Sequence, residues 1–140
     1  MAELQREDCR SHVGCATVVA PLNVPEPEAG NLMQSFKAAA YRGKTVRFSA
    51  WLRLKSWLVR PSGIIHLPTD QDRGLLWMRV VRANRLVADK QSIDVRTSDW
   101  KPVEITADID LDAQMINLGV MSYGEGRVWI DDVSFEVVDK

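Results

Sequence analysis

The sequence has little of what marks several large protein classes. No apolar run approaches the roughly 20 residues that a membrane helix needs, so we expect no membrane partner. Eighteen basic and nineteen acidic residues give a net charge of −1, which argues against a nucleic-acid partner held by net charge. Hydrophobic residues make up 46% and charged residues 26% of the chain, without the bias of a collagen, a coiled coil or a long disordered tail.

The length predicts one domain with a substantial core. The chain has 140 residues, which places it in the usual size range of a single domain. A domain of this size buries about 68–70% of the surface that its unfolded chain exposes, so its core can be stable without disulfide bonds or a bound metal. The start, Met1 to Asp8, is polar and acidic and shows no secretory signal, so we expect a cytoplasmic location.

Cysteine is scarce, and the only pair is Cys9 and Cys15. A zinc site would use both thiols, His12 between them and a fourth ligand, but structural zinc sites usually show tighter cysteine pairs. A disulfide closing this short loop is the alternative in an oxidising compartment. We favour two reduced thiols, with Cys15 buried on a strand.

Short runs rich in Val, Ile, Thr and aromatic residues recur along the chain, separated by Gly, Pro, Asn and Asp. About eight such runs predict an all-β, two-sheet antiparallel β-sandwich of jelly-roll type over residues 1–140. Residues 1–13 are expected to be flexible or an edge segment. Residues 56–73 are predicted to form a long loop with a short extra strand at Gly63–Leu67. The predicted strands are Gly14–Ala20, Asn31–Phe36, Lys44–Lys55, Gly74–Val81, Lys90–Val95, Lys101–Ile109, Met115–Tyr123 and Gly126–Val138.

Alternation within three of these runs predicts which side chains face away from the core. The run Val46–Lys55 sends Val46, Phe48, Ala50, Leu52 and Leu54 one way. The outward set carries an unusual concentration of aromatic, arginine and amide groups for an antiparallel sheet that merely faces water. We expect these outward side chains to share one face of one sheet: Arg47, Trp51, Arg53, Trp77, Arg79, Asn117 and Tyr123.

The last run contains a break in parity. Val128 and Ile130 are two residues apart, as are Val133, Phe135 and Val137, but the two series are out of phase at Asp131-Asp132. Both series face inward only if the strand inserts one extra residue, a β-bulge. We favour a structural role in which these carboxylates accept the unpaired backbone N–H groups of the bulge. A structural calcium site at Asp131 and Asp132 is the weaker alternative, and no other cofactor is expected.

Four segments resemble galactose-binding-like jelly-roll domains. Residues 41–53 match the pattern "yRGK.vRfs.w.r", and residues 126–136 match the closing "g.vwiDDvsfe". Residues 74–80 match a further strand, and residues 97–105 resemble the step "T.dW....v...v". The segments occur in the family's order and cover most of Tyr41 to Glu136.

The resemblance implies a fold and a class of ligand. Many members of this superfamily are carbohydrate-binding modules attached to glycoside hydrolases. A bacterial subset, to which residues 74–80 are nearest, occurs beside transcription-regulator or other effector domains. The chain departs from the pattern because no "N.dFE" strand precedes Cys9, which weakens the calcium interpretation, and because the loop at 56–73 is longer.

The outward set fits a non-catalytic module that binds carbohydrate or another small polar ligand. Sugars need flat aromatic surfaces for their apolar face and planar polar groups for their hydroxyls. Trp51 or Trp77 would supply the ring, and Arg53, Arg79 and Asn117 the hydrogen bonds. Tyr123 or Arg47 would lie at the edge. The alternative is that Trp51 and Trp77 form a second small core beneath the long loop, with arginines stacked over them.

Two other functions stay open. The same face, or an edge strand, would dock a partner protein or a second copy of the chain in an interaction or sensor domain. A small glycan-acting enzyme is the third candidate. It has less support because the sequence shows no nucleophile elbow or phosphate loop and no separated pair of carboxylates.

Overall fold

The computed structural model describes residues 2–6, 8–11, 14–19, 29–56, 72–124 and 126–138. These residues form strands and one short 3-10 turn, Ala39–Tyr41. The strands, in chain order, are β1 (Ala2–Gln5), β2 (Cys15–Val19), β3 (Gly30–Lys37), β4 (Thr45–Ser56), β5 (Arg73–Arg82), β6 (Val87–Gln91), β7 (Lys101–Asp108), β8 (Ala113–Tyr123) and β9 (Gly126–Val138).

The strands build two antiparallel sheets that pack face to face, which confirms the predicted β-sandwich. The five-stranded sheet has the order β1-β2-β9-β4-β7, and the four-stranded sheet has the order β3-β8-β5-β6. The strand expected at Lys90–Val95 begins earlier, at Val87. Val95 instead forms an isolated bridge with Gly74. The strand expected at Gly63–Leu67 lies outside the described residues.

The core lies between the sheets and is built by the inward side chains that alternation predicted. Phe48 and Leu52 of β4 face Leu76 of β5 and Ile116 of β8, and each is at most 1% exposed. Burying one such side chain stabilises the fold by about 1.5–3 kcal/mol. At the end of the core, the rings of Phe36, Tyr41 and Phe135 pack edge to face, with centroids 5.1–5.7 Å apart.

The predicted β-bulge in β9 is present. The β4–β9 register shifts between Ser49 and Trp51, opposite Asp132 and Val133. Asp132 has φ +51°, a left-handed conformation that Asp tolerates better than most residues. Beyond the bulge, Phe135 packs against the core as expected. The expectation that Val133 and Val137 are buried is wrong, because both are about half exposed, Val133 at the bulge and Val137 next to the end of β9.

The cysteines are bonded to each other, so the expectation of two reduced thiols is wrong. Strand β1, which alternation did not predict, pairs antiparallel with β2 and aligns Gln5 with Cys15. The connection between these strands therefore returns close to its start, and the Cα atoms of Cys9 and Cys15 lie 5.6 Å apart, within the usual disulfide range. Cys15 itself is buried, as predicted. His12 lies outside the described residues.

Candidate functional site

The structure divides the predicted site residues between two opposite faces of the sandwich. Trp51, Arg53 and Arg47 lie on β4 in the five-stranded sheet. The other four, Trp77, Arg79, Asn117 and Tyr123, lie on β5 and β8 in the four-stranded sheet. Since both groups point away from the shared core, the expectation of one common face is wrong. Alternation reports whether a side chain faces inward or outward, but not which sheet its strand joins.

The four-stranded sheet presents a tryptophan ring laid across its centre. Trp77 on β5 stands opposite Gly119 on β8. Its indole Nε1–H donates to Asn31 Oδ1 on β3, two strands away, at 2.9 Å. The ring passes over Gly119, because a Cβ added there would lie 2.9 Å from Trp77 Nε1. A glycine in a strand interior often marks such a close approach. Trp77 stays half-buried, with one face against the sheet.

Polar groups surround this ring in the next row of the sheet. Arg79 stands between Asp89 on β6 and Asn117 on β8. Its Nε and Nη2 donate to the two carboxylate oxygens of Asp89 at 2.7 and 3.0 Å. This charge-assisted pair lowers the pKa of Asp89 below its ordinary value. Two of the five guanidinium N–H groups are used there, and the other three have no acceptor among the described residues, which leaves them for a ligand.

We call Asn31, Trp77, Arg79, Asn117 and Gly119 the Trp77 face. Tyr123 is four residues along β8 from Gly119, or about 13 Å at the usual strand rise. There the Arg73 guanidinium stacks 4.2 Å from the Tyr123 ring centroid. Tyr123 therefore lies at the end of this sheet face. The Trp77 face combines one flat ring with planar hydrogen-bonding groups on either side.

The outer face of the five-stranded sheet is built differently, as alternating tryptophan and arginine. The Arg53 guanidinium stacks 4.3 Å from the Trp129 ring centroid and 5.4 Å from that of Trp100. Arg10 stacks on Trp51 at 3.8 Å. We call Arg10, Trp51, Arg53, Trp100 and Trp129 the Trp–Arg patch. The stacking of Arg10 on Trp51 agrees with the predicted alternative in which arginines cover this tryptophan. The arginine that does so lies in the segment 8–11.

The remaining predicted site residue, Arg47, lies farther along β4. Its Nε is 3.7 Å from Glu136 Oε1, and its partners across the sheet are Glu136 on β9 and Thr106 on β7. It does not contact the Trp–Arg patch, from which Ser49 and the bulge separate it.

The bulge carboxylates hold a neighbouring segment of chain. Asp131, which is 5% exposed, accepts hydrogen bonds from the backbone N–H and hydroxyl of Ser11 at 2.7 and 2.9 Å. It also accepts the N–H of Asp132 at 2.8 Å. Burial raises the pKa of Asp131, but these hydrogen bonds outweigh it and leave the pKa lowered. Asp132 pairs with Arg10.

These contacts support the structural role for the bulge rather than calcium. Both Asp131 oxygens already accept hydrogen bonds, and the Asp132 carboxylate already pairs with a cation. The sulfurs of Cys9 and Cys15 lie within 4.8 Å of the Asp131 carboxylate, but they are bonded to each other. A thiolate is the form that ligates a metal, so this cluster fits a disulfide better than a metal centre.

A cleft of about 860 Å³ opens between the two sheets beside the edge strands β1 and β3. Its apolar lining includes Leu4, Leu32, Phe48, Leu118 and Ile130. Its polar lining consists of Gln5, Arg6, Gln34, Asp131 and Asp132, so the cleft also presents hydrogen-bonding groups. Leu118 and Val120 face it from the inner side of β8, whereas the side chain of Trp77 lies on the outer side.

Sequence reasoning missed Asn31, Gly119 and Trp129. A lone glycine inside the run Met115–Tyr123 was a usable sign of close packing over β8. Nothing in the sequence placed Asn31 beside Trp77, because that contact depends on β3 pairing with β8. Trp129 was not among the predicted site residues, and it is 7% exposed beneath Arg53.

A search among curated proteins finds a bacterial relative. The chain is 33% identical over 117 residues to an uncharacterized HTH-type transcriptional regulator, YbfP, of Bacillus subtilis (strain 168). The match covers 81% of this chain but 35% of that protein, so the chain spans about a third of the relative's length. No family model matches the chain.

Solved structures of carbohydrate-binding modules share the fold. The CBM22-1 xylan-binding domain from Paenibacillus barcinonensis Xyn10C superposes with a TM-score of 0.65 at 10% identity, over 100% of this chain and 82% of that one. TmCBM61, solved in complex with β-1,4-galactotriose, gives 0.57 at 12% identity, over 98% and 82%. The chain therefore shares the β-sandwich fold of these modules, as its sequence motifs predicted. In the described part of the chain, no helix has the length and apolar character to cross a membrane.

Proposed function

We propose that this chain is a non-catalytic carbohydrate-binding module whose ligand lies on the Trp77 face. The observation that carries the proposal is the indole of Trp77, held flat over Gly119 by its hydrogen bond to Asn31. An immobilised ring offers an apolar surface to a sugar without losing side-chain freedom on binding. In the adjacent row, Arg79 would donate hydrogen bonds to the hydroxyls, and the amide of Asn117 would both donate and accept them.

The fold supports this class of ligand. Structures with the same fold include a domain described as xylan-binding and a module in complex with β-1,4-galactotriose. At 10–12% identity these likenesses establish the fold alone, so the saccharide is assigned to this chain by the chemistry of its own face. Xylo-oligosaccharides and β-1,4-galactotriose are the natural first probes.

Catalysis has less support on this face. Glycoside hydrolysis generally needs two carboxyl groups about 5–9.5 Å apart, one of them free to donate a proton. Among the described strands, the carboxylate that this face presents is Asp89, and Arg79 binds both its oxygens. Its lowered pKa keeps it ionised, the opposite of what a general acid requires.

The alternative function is a sensor domain within a longer regulator. The relative from Bacillus subtilis is described as a transcriptional regulator, and the matched region is 35% of its length. A saccharide on the Trp77 face would then be the signal that such a domain detects. Both functions place the saccharide on the Trp77 face. They differ in the kind of domain to which this chain is joined.

A glycan array tests the proposal. We expect the wild-type chain to bind a defined subset of saccharides. Trp77→Ala should weaken that binding at least tenfold, about 1.4 kcal/mol, in a chain that circular dichroism shows to be folded at the assay temperature. Trp77→Phe keeps a ring and should retain part of the affinity. Trp51→Ala removes a tryptophan from the opposite sheet and should bind like wild type. No binding across a broad array, or equal loss in both alanine variants, would overturn the proposal.

A further inference from the structure

We propose that the Trp–Arg patch is a docking surface for an acidic segment of a partner protein, separate from the saccharide face. The patch lies on the outer side of the five-stranded sheet, and the Trp77 face lies on the outer side of the other sheet. The hydrophobic core stands between them. The two surfaces share no residue, so either one could fail its test without the other.

Three members of the patch form one row across the sheet, and Trp51 with Arg10 lies beside that row. Arg53 on β4 stands directly opposite Trp129 on β9, and Trp129 stands opposite Thr17 on β2. Trp100, just before β7, closes the row on the other side of Arg53. The guanidinium is therefore held between two indole rings. This immobilises a long side chain before any partner arrives, which lowers the entropic cost of binding.

Two buried N–H groups in this row have no acceptor among the residues that the structure describes. Trp129 is 7% exposed, and no described residue accepts a hydrogen bond from its indole Nε1–H. The same holds for the buried Nε–H of Arg53. Buried donors are nearly always satisfied in folded proteins, so unsatisfied ones call for an explanation. A ligand that brings acceptor atoms would satisfy both groups.

The positive charge of the patch indicates which chemical groups would act as the acceptors. Arg53 gives one N–H to the backbone carbonyl of Asp8 at 3.0 Å, and no carboxylate of the described residues lies within ion-pair distance of it. Arg79 on the other sheet shows the contrasting arrangement, with both oxygens of Asp89 bound. Lys55, the next outward residue of β4, adds a second exposed positive charge. Carboxylates are the complementary groups, and guanidinium binds them in bidentate fashion.

A protein segment fits these features better than a sugar or a nucleic acid. The rings of Trp51 and Trp129 are covered by guanidinium groups, so neither offers a bare platform for a sugar or a base. The chain's net charge of −1 gives no general attraction to a nucleic-acid backbone. Tryptophan and arginine are also the residues most enriched at the energetic centres of protein interfaces.

A capped octaglutamate peptide is the probe. We expect isothermal titration at low ionic strength to show saturable binding of octaglutamate to the wild-type chain. Arg53→Gln should weaken it at least tenfold. Arg85→Gln, in the exposed turn between β5 and β6, removes an equal charge elsewhere and should leave the affinity unchanged. Trp129→Phe, which keeps a packed ring but loses the N–H, should weaken binding several-fold at an unchanged melting temperature.

Three results would overturn the inference. The first is no binding of octaglutamate. The second is an equal loss in Arg53→Gln and Arg85→Gln, which would mean attraction by net charge alone. The third is binding of tetragalacturonate without binding of the peptide, which would make the ligand an acidic glycan. If Arg53→Gln lowers the melting temperature, Trp129→Phe decides the question, and wild-type affinity in that variant would contradict the proposal.

Discussion

Gly119 is the residue that allows the Trp77 ring to lie flat. A Cβ at this position would meet the backbone carbonyl oxygen of Leu32 at 2.4 Å and Trp77 Nε1 at 2.9 Å. The first contact is the more severe, because a backbone atom in a paired strand cannot move aside cheaply. Side-chain size at one position of β8 therefore decides whether the proposed saccharide platform exists.

We predict that Gly119→Ala lowers the free energy of unfolding by about 1–3 kcal/mol, the usual cost of overpacking. Replacing glycine by alanine in a strand would otherwise gain about 0.5–1 kcal/mol, so the sign of the change tests the contact. Urea denaturation measures it. Ser35→Ala, on an exposed part of β3, should change stability by less than about 0.5 kcal/mol. A stabilised Gly119→Ala would contradict the described packing.

Several residues could be assigned from the sequence and others could not. The alternation in β4 and β5 correctly placed Phe48 and Leu52 inside and Trp51 and Trp77 outside, because a strand has a fixed period of two. The contact between Trp77 and Asn31 could not be predicted from the sequence, because residues that are 46 positions apart meet only through the pairing of whole strands. Alternation along one strand determines whether a side chain faces inward or outward, and the pairing of distant strands determines which side chains lie next to it.

At the scale of elements, β9 shows how a sequence irregularity becomes a structural device. The parity break at Asp131-Asp132 predicted the bulge, and the bulge turns the Asp131 carboxylate toward Ser11. The segment 8–11 is thereby attached to β9 at the same point where the disulfide attaches it to β2. The sequence could not reveal this arrangement, because it depends on β1, a four-residue edge strand without clear alternation.

We predict a pH-dependent contribution from Asp131. Its pKa is lowered in the folded state, so its stabilising effect is complete above the unfolded-state value of about 4 and is lost as the pH falls below it. Asp131→Asn should cost about 1–3 kcal/mol at neutral pH, because it leaves buried N–H groups poorly paired. Urea unfolding from pH 7 to pH 2 measures the free energy of unfolding of the wild-type chain and of Asp131→Asn. A difference between the two free energies that stays constant across that range would refute the assignment.

At the scale of the whole molecule, the sandwich separates two chemically distinct surfaces. The Trp77 face offers a ring and amide and guanidinium groups, whereas the Trp–Arg patch offers unpaired donors and positive charge. The sequence predicted the sandwich, because eight runs with short connections favour two packed sheets. It also predicted which residues of β4 and β5 face outward, but merged them into one face, because alternation does not report which sheet a strand joins.

This separation allows a module to bind a saccharide and a partner protein at the same time. A bound ligand on one face would not block the other, since the core lies between them. The arrangement would suit either a module attached to an enzyme or a sensor region of a longer regulator.

The most direct test is a two-dimensional NMR titration that follows the indole N–H signals of the five tryptophans, assigned by single Trp→Phe variants. The account predicts that a saccharide identified on the array shifts the Trp77 signal and leaves the Trp129 signal in place. Octaglutamate should do the reverse. A saccharide that shifts Trp129 or Trp51 and leaves Trp77 unmoved would contradict the assignment of the ligand to the Trp77 face.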